Sequence, residues 1–234
     1  MDQGLVAWWT SLDSKTRFWR PISELTHWID HSLWKHSALL MHLHSIAWYL
    51  LLLVCVTKFY KHIFSTQAVT MLAVLLYAVD ADHGLTISWI ANRNALIASV
   101  FAVLCFVFHH RWRSKESLTA KYLAPLMLLL GLLSAEFAIG IAAYLFSYTI
   151  FLDKSTWINR LLTLLPYTAI IIIWRIIYNY LGFGAEDSIY IDPVSNPSSF
   201  LAILTERWPV MIAGQLGLLP PDFYAAFDTH LAKS

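Results

Sequence analysis

The residues best suited to chemistry lie between Tyr77 and Phe101, at the head of an apolar run about as long as a bilayer crossing. Their types are two carboxylates, a histidine, two asparagines and an arginine: Asp80, Asp82, His83, Asn92, Arg93 and Asn94. An unpaired arginine near the middle of a bilayer costs at least about 2.5 kcal/mol on insertion scales. The stretch therefore predicts that these groups find partners inside a protein cavity.

Polar residues from other apolar runs fall at the same end of their predicted helices. At 1.5 Å per residue, His42 and His44 lie early in the first run, and Arg175 lies close to the end of the last one. His42 and His44 are two residues apart, so they point to different helix faces and at most one enters a shared cavity. Together with Arg93 and Glu136, this pattern predicts one polar pocket near one membrane surface.

Simple structural roles compete with these functional ones. Asp80 or Asp82 could cap the helix that follows them, and Arg93 could pair with a carboxylate only to close the bundle. Asp80, Asp82 and His83 offer oxygen and nitrogen ligands, but their spacing is not diagnostic of a metal. We therefore assign no metal ligand and no certain cofactor, and leave a divalent metal open.

Composition places the chain among integral membrane proteins. Of its 234 residues 58% are hydrophobic and only 13% are charged, about half the share typical of soluble domains. Eleven Trp and eleven Tyr fit the same class, because amphipathic rings favour the lipid–water interface. The net charge near +1 says nothing about nucleic acid, but the sequence has no basic patch with interleaved aromatics, so we expect no nucleic-acid partner.

The fold class predicted is all-α, a polytopic transmembrane bundle of about six spans (37–180) between interfacial segments (1–36 and 181–234). Within the N-terminal segment we expect a helix over Ser23–Trp34 with Ser23 as its cap. Within the C-terminal segment we expect an amphipathic helix over Ser198–Gln215, bent at Pro209. The predicted spans are about Ser37–Phe59, Ile63–Val79, Leu85–Phe108, two within Tyr122–Leu152, and Leu161–Tyr180 interrupted at Pro166.

Residues 122–152 carry a single formal charge, Glu136. One helix of that length would be about 46 Å long, against a hydrocarbon core of about 30 Å. We favour two short spans broken at Ser134–Glu136, with one long tilted helix as the alternative. An intramembrane carboxylate is a functional candidate by default.

Orientation follows from the loop lysines and arginines. With six spans, one face collects Lys58, Lys61, Arg111, Arg113, Lys115, Lys121, Lys154 and Arg160. By the positive-inside rule this face is cytoplasmic, although basic residues of the N-terminal segment oppose the assignment. The polar pocket then lies at the outer surface. Because the N-terminal segment would have to cross the membrane without a signal sequence, we expect a further span upstream.

Three segments resemble a known family. FWRPISELTHWIDHSLW with HSALLMHLHSIAWYLLLLV, YAVDADHGLTISWIANRNALIASVF, and LLSAEFAIG are similar to GT-C membrane glycosyltransferases of the protein O-mannosyltransferase-like branch. His83 and Arg93 fall on matching positions. Asp80 replaces a frequent histidine, Asn92 a glycine, and Ala95 an acidic residue.

The resemblance implies an integral membrane enzyme, in a bacterial inner membrane, that transfers a sugar from a polyprenyl-phosphate donor to an acceptor on the non-cytoplasmic side. It implies that the main catalytic acids lie in an outer loop upstream of Arg20. The expected catalytic or acceptor contacts are Asp80, His83 and Glu136. The expected substrate-binding residues are Arg20, Asn92, Arg93, Asn94 and Arg175. The alternatives are a non-catalytic membrane protein that binds a lipid-linked or anionic ligand, and, with least support, a transporter.

Overall fold

The computed structural model describes residues 15–80, 83–186 and 196–215. Most of them are helical, and two three-residue strands, β1 (Lys15–Arg17) and β2 (Gly184–Glu186), pair antiparallel. The helices are α1 (Pro21–Trp34), α2 (Ala38–Ile63), α3 (Gln67–Ala78), α4 (His83–Ser88), α5 (Arg93–Arg113), α6 (Ala120–Leu132), α7 (Ile141–Phe151), α8 (Trp157–Leu162), α9 (Leu165–Tyr180) and α10 (Pro197–Gln215). Two 3-10 helices, Ile90–Asn92 and Glu136–Gly140, precede α5 and α7.

The chain divides into two compact units. The larger one, Phe18–Phe183, contains α1 to α9 and all the candidate site residues that the structure describes. The smaller one contains the β1–β2 pair and α10. A helix at the predicted C-terminal place is confirmed, with Pro209 inside it, whereas its amphipathic character and its bend stay predictions. The predicted N-terminal and C-terminal segments also include residues 1–14, 187–195 and 216–234, which lie outside the described residues.

Three helical stretches among the described residues are long and apolar enough to cross a membrane: Ala38–Ile63, Ile90–Arg113 and Trp157–Tyr180. Three shorter apolar stretches accompany them: Gln67–Ala78, Ala120–Leu132 and Glu136–Phe151. Leucine and isoleucine side chains stand exposed along α2 and α9, for example Leu39, Leu50 and Ile176. Such continuous apolar surface is unusual in a soluble monomer and fits a lipid-facing bundle.

Helix α5 is the centre of the larger unit. One side of it packs against α2, where Leu52, Cys55 and Val56 meet Leu96 and Val100. Its other side packs against α6, and together with α7 and α9 these helices form the main core. Gly131 of α6 allows a close approach in that core, because an added Cβ would lie 3.1 Å from Cβ of Ala138.

Helices α2 and α5 run parallel, and this gives the unit two distinct ends. His44 and Arg93 lie near the start of these helices and in contact. His62 and His110 lie near the other end, with their rings 4.8 Å apart. At 1.5 Å per residue the two levels are separated by about 26 Å. We call them the arginine end (Arg20, Asp30, Arg93, Glu136) and the histidine end (His62, His110, Arg113, Asp153).

The predicted break at Ser134–Glu136 is confirmed: α6 ends at Leu132, Ala135 is extended with φ −163°, and a 3-10 helix begins at Glu136. The interruption near Pro166 is also confirmed, since α8 ends at Leu162 and α9 begins at Leu165. The prediction of a continuous third span over Leu85–Phe108 is wrong. The chain leaves the helix at Trp89, passes through Ile90–Asn92 and begins α5 only at Arg93.

The predicted role of Ser23 as a helix cap is also wrong. Helix α1 begins at Pro21, whose fixed φ and missing N–H suit a first helical position. Ser23 instead lies inside the helix and donates a hydrogen bond of 2.8 Å to the carbonyl oxygen of Ser134. Ser23, Thr26 and Asp30 are the buried residues of α1, and their spacing places them on one helix face.

Candidate functional site

Arg93 is the centre of a buried ion pair at the arginine end. Its side chain is fully buried, with Nη1 2.5 Å from Oδ2 of Asp30. Nε donates to Oγ of Ser45 at 2.9 Å, and Nη2 donates to the carbonyl oxygen of Met41 at 2.8 Å. Every nitrogen of the guanidinium is therefore within bonding distance of a protein oxygen, as burial of such a charge requires.

His44 adds a second contact to Asp30. Trp48 donates its indole N–H to Nε2 of His44 at 3.1 Å, so Nε2 acts as an acceptor and the hydrogen-bond network assigns the proton to Nδ1. Nδ1 lies 2.6 Å from Oδ1 of Asp30 and donates to it. The 3.2 Å approach of Arg93 Nη1 to the same Nδ1 then joins two donors and is no hydrogen bond.

The position of Arg93 in α5 makes Asp30 necessary. Arg93 is the first residue of the helix, where the macrodipole is positive and disfavours a second positive charge. Asp30 is buried and brings a negative charge from α1 to this point. The pair therefore neutralises the start of α5 and holds α1 against the N-terminal parts of α2 and α5.

Arg20 and Glu136 form a second, more accessible ion pair. Oε2 of Glu136 lies 2.7 Å from Nη2 and 2.9 Å from Nε of Arg20. The two side chains are 27% and 24% exposed, in contrast to the Arg93 pair. Tyr178 of α9 donates to Oε1 of Glu136 at 3.4 Å. The Arg20–Pro21 segment is thus fixed to the helix break that carries Glu136.

Asn94 connects the two pairs along α5. With its amide oriented to satisfy the surrounding groups, Oδ1 accepts from Nη1 of Arg20 at 2.8 Å. The amide nitrogen then donates to the carbonyl oxygens of Ala91 and Asn92, each at 3.2 Å. Asn92 itself is half-buried in the 3-10 helix and contributes through its backbone.

Arg175 lies on α9, three residues before Tyr178. Its charge acts on the hydroxyl of Tyr178, as do the charges of Arg20 and Glu136. These three side chains are two cations and one anion. The structure thus brings Arg20 and Glu136 together, with Asn94 beside them, and the Arg175 charge acts on the Tyr178 hydroxyl that contacts Glu136. The Arg20–Glu136 pair is partly accessible.

His83 and Asp80 lie in a separate place. The His83 ring packs 4.5 Å from that of Tyr77 and 5.6 Å from that of Tyr49, and its Nε2 is buried. Asp80 is exposed and its carbonyl accepts from the backbone N–H of His83. Asp82, the other carboxylate considered as a cap or metal ligand, lies outside the described residues.

His42 lines a pocket, whereas His44 contacts Asp30. An open pocket of about 710 Å³ is lined by His27, His42 and the backbone-rich segment Ser88–Ala91. Burial lowers the pKa of His27 from its usual 6.5, and the nearby Arg93 charge acts in the same direction. The expectation that only one of the two histidines joins the arginine network is confirmed.

An apolar groove of about 360 Å³ begins at the helix break. Phe137 and Ala138, which follow Glu136, line it together with Tyr60 of α2 and Phe106 of α5. Its remaining lining is largely aliphatic and aromatic. Glu136 of the partly exposed ion pair and Phe137 of the groove lining are thus consecutive residues of one 3-10 helix.

The histidine end holds a third ion pair. Asp153 accepts from Nε of Arg113 at 2.8 Å and from the backbone N–H of Ser155 at 2.8 Å. Burial alone would raise the pKa of Asp153, but these hydrogen bonds and the Arg113 charge hold it below its usual 3.8. Asp153 thereby remains ionised and fixes the loop between α7 and α8 to the end of α5.

Sequence reasoning missed Asp30 and Tyr178. Asp30 lies in a segment interpreted as interfacial, where a carboxylate needs no partner. The spacing of Ser23, Thr26 and Asp30 was the available signal, because three polar residues on one face indicate a polar contact surface. Tyr178 gave no signal, since a tyrosine near the end of a span is ordinary.

Comparison of the chain with protein-family models, with curated proteins and with solved structures gives no match.

Proposed function

We propose that this chain is a GT-C-like glycosyltransferase, or part of one, that binds a polyprenyl-phosphate sugar at its arginine end. In this proposal the three long and three shorter apolar stretches make six crossings of a bacterial inner membrane. The arginine end faces the non-cytoplasmic side, where the acceptor is.

The observation that supports the proposal is that Glu136 of the Arg20–Glu136 pair is followed directly by Phe137 of the apolar groove, while the Arg175 charge acts on the Tyr178 hydroxyl that contacts Glu136. A polyprenyl phosphate has a dianionic or monoanionic head and an isoprenoid chain, so it needs both kinds of surface. An arginine fork matches phosphate oxygens in a bidentate way. Two arginines beside one glutamate favour an anion there over a cation.

Two further contacts favour the family. The Arg20–Glu136 and Asp30–Arg93 pairs join the three segments on which the resemblance rests. A shared ligand site would require these segments to meet. Arg93 supports the site by holding α1 through Asp30; a direct phosphate contact by Arg93 stays a prediction.

The chemistry would proceed by displacement at the anomeric carbon. An acceptor hydroxyl oxygen bonds to that carbon while the bond from carbon to phosphate oxygen breaks, and its electron pair leaves with the polyprenyl phosphate. Arg20 and Arg175 stabilise the charge on the leaving phosphate. Phosphate bound to Arg20 releases Glu136, which takes the hydroxyl proton as general base. Asp80 and His83, which lie in a separate place, are proposed as contacts to a part of the acceptor away from the reacting hydroxyl.

The test is binding of a polyprenyl phosphate to the purified full chain in lipid nanodiscs. We expect saturable binding that the polyprenol of equal length does not show. Arg20→Gln should weaken binding at least about tenfold, the loss of one charged hydrogen bond of about 1.4 kcal/mol or more. Glu136→Gln should retain or tighten binding, because it removes the carboxylate that competes for Arg20.

Arg111→Gln is the matched control, because Arg111 is an exposed arginine at the histidine end. Equal binding of phosphate and polyprenol would overturn the proposal. So would an equal loss of binding in Arg111→Gln and Arg20→Gln.

The non-catalytic alternative has its own supporting observation: both carboxylate oxygens of Glu136 are occupied, by Arg20 and Tyr178. Release of polyprenyl phosphate from a polyprenyl-phosphate sugar in the presence of an acceptor distinguishes the two. The enzyme releases it and Glu136→Gln does not, whereas a binding protein holds the donor intact.

A further inference from the structure

The histidine end contains a cluster of metal-ligating side chains that the proposed function does not use. His62 at the end of α2, His110 near the end of α5, and Glu116 just beyond α5 each offer a ligand atom. These atoms all lie within 4.8 Å of one another. Among the described residues this is the one group of three or more His, Cys, Asp or Glu side chains so arranged.

We propose that His62, His110 and Glu116 bind one divalent transition-metal ion of the zinc class. Two imidazoles and one carboxylate are ligands that suit zinc and its neighbours, whereas magnesium and calcium require oxygen ligands. Three protein ligands leave a fourth tetrahedral position open. His62 and His110 both line a cavity of about 480 Å³, so that position can be reached from the cavity.

The surroundings orient His110 as a ligand. Its Nδ1 lies 3.1 Å from the hydroxyl oxygen of Tyr148. If Nδ1 carries the proton and donates to Tyr148, Nε2 has a free lone pair for the metal, which is the usual arrangement behind a ligating histidine. Ser114 Oγ approaches the same Nε2 at 3.3 Å and would be displaced by the ion.

The required movement is small. Zinc bonds of about 2.0–2.1 Å hold tetrahedral ligand atoms about 3.3 Å apart. The present separations of up to 4.8 Å must therefore shorten by at most about 1.5 Å. His62 and Glu116 are exposed and can rotate, while half-buried His110 provides the fixed point.

The local charges permit a cation. Two cations, Arg113 and Lys154, also line the cavity. Arg113 is neutralised by Asp153 at 2.8 Å, and the exposed Lys154 is screened by solvent. Arg111 lies 3.6 Å from Glu116, but both side chains are 44% exposed, so this pair is weak and easily exchanged. The ion would link the end of α2 to the end of α5, about 26 Å from the arginine end.

The test is metal binding by the full chain without a polyhistidine tag, measured by equilibrium dialysis with Zn²⁺ and by the visible spectrum of Co²⁺. We expect one tight equivalent of Zn²⁺, no competition by Mg²⁺, and a Co²⁺ spectrum of low coordination number. His62→Ala and Glu116→Gln change exposed residues and should each lower affinity at least tenfold. Tyr148→Phe should lower it about 10–100-fold through the orientation of His110.

His36→Ala and Glu24→Gln are matched controls, because both residues are exposed and lie outside the histidine end. They should leave Zn²⁺ affinity unchanged. Equal affinities in the parent chain and His62→Ala would overturn the proposal, and so would an equal loss in the control variants. Polyprenyl-phosphate binding at the arginine end should not respond to any of these changes, so the two proposals fail separately.

Discussion

The two ends of the Phe18–Phe183 unit use the same charged residue types in different environments. At the arginine end, Arg93 and Asp30 are 0% and 3% exposed, so their charges interact with little solvent screening. At the histidine end, Arg111 and Glu116 are both 44% exposed and 3.6 Å apart. Between these extremes lie Arg113–Asp153 and Arg20–Glu136. Burial therefore decides whether an ion pair fixes the fold or remains available to a ligand.

The strongest test of this contrast is at Arg93. Arg93→Ala leaves Asp30 buried without its cation, and we expect a loss of about 3–5 kcal/mol, typical of a broken buried pair. Thermal unfolding in detergent measures it. The double variant Arg93→Met with Asp30→Asn removes both charges, and the new amide oxygen at position 30 can still accept from His44, so most of the loss should be recovered. An Arg93→Ala protein as stable as the parent chain would contradict the role of burial.

For Asp153→Asn we expect a smaller loss of stability than for Arg93→Ala, because the Arg113 side chain is 17% exposed and that of Arg93 is fully buried. Loss of its charged hydrogen bonds should cost about 2 kcal/mol at neutral pH. The folded-state pKa of Asp153 lies below 3.8, so its contribution is present above that pH and disappears as pH falls through the folded value. Unfolding temperatures of both proteins from pH 7 to pH 3 should therefore converge at the acid end. A difference that grows on acidification would contradict the sign.

For Glu136→Gln we expect a still smaller loss of stability, about 1 kcal/mol, because its pair with Arg20 is about one-quarter exposed on each side. The amide can still accept from Tyr178. Thermal unfolding checks this, with Glu24→Gln as an exposed control in α1. A loss as large as that of Arg93→Ala would show that Glu136 is a structural residue and would weaken its assignment as a base.

The sequence was most informative where a single residue breaks a pattern. A lone carboxylate in residues 122–152 indicated the break at Glu136, because hydrocarbon does not tolerate it inside a continuous span. The break at Trp89 gave no such signal, since no proline interrupts the run and its glycine, Gly84, lies inside α4. Its cause is tertiary: α5 begins where Arg93 meets Asp30.

The partners of the arginines were the least predictable feature. Arg93 and Asp30 are 63 positions apart, and Arg20 and Glu136 are 116 positions apart. Periodicity indicates the face of one helix and carries no information on which two faces meet. The requirement that each buried charge has a partner was predictable; the identity of Asp30 was not.

The smallest loss of stability is expected for the most exposed ion pair, Arg111–Glu116. Arg111→Ala removes a pair 3.6 Å long in which both side chains are 44% exposed, and we expect a change in stability within about 0.5 kcal/mol. Thermal unfolding at low and at high salt measures it, because a screened surface pair should lose even this contribution at high salt. If Glu116 binds a metal ion, Arg111→Ala should also raise Zn²⁺ affinity slightly, since it removes a competing cation. A loss above about 2 kcal/mol would mean that the distinction between buried and exposed pairs does not hold at this end of the unit.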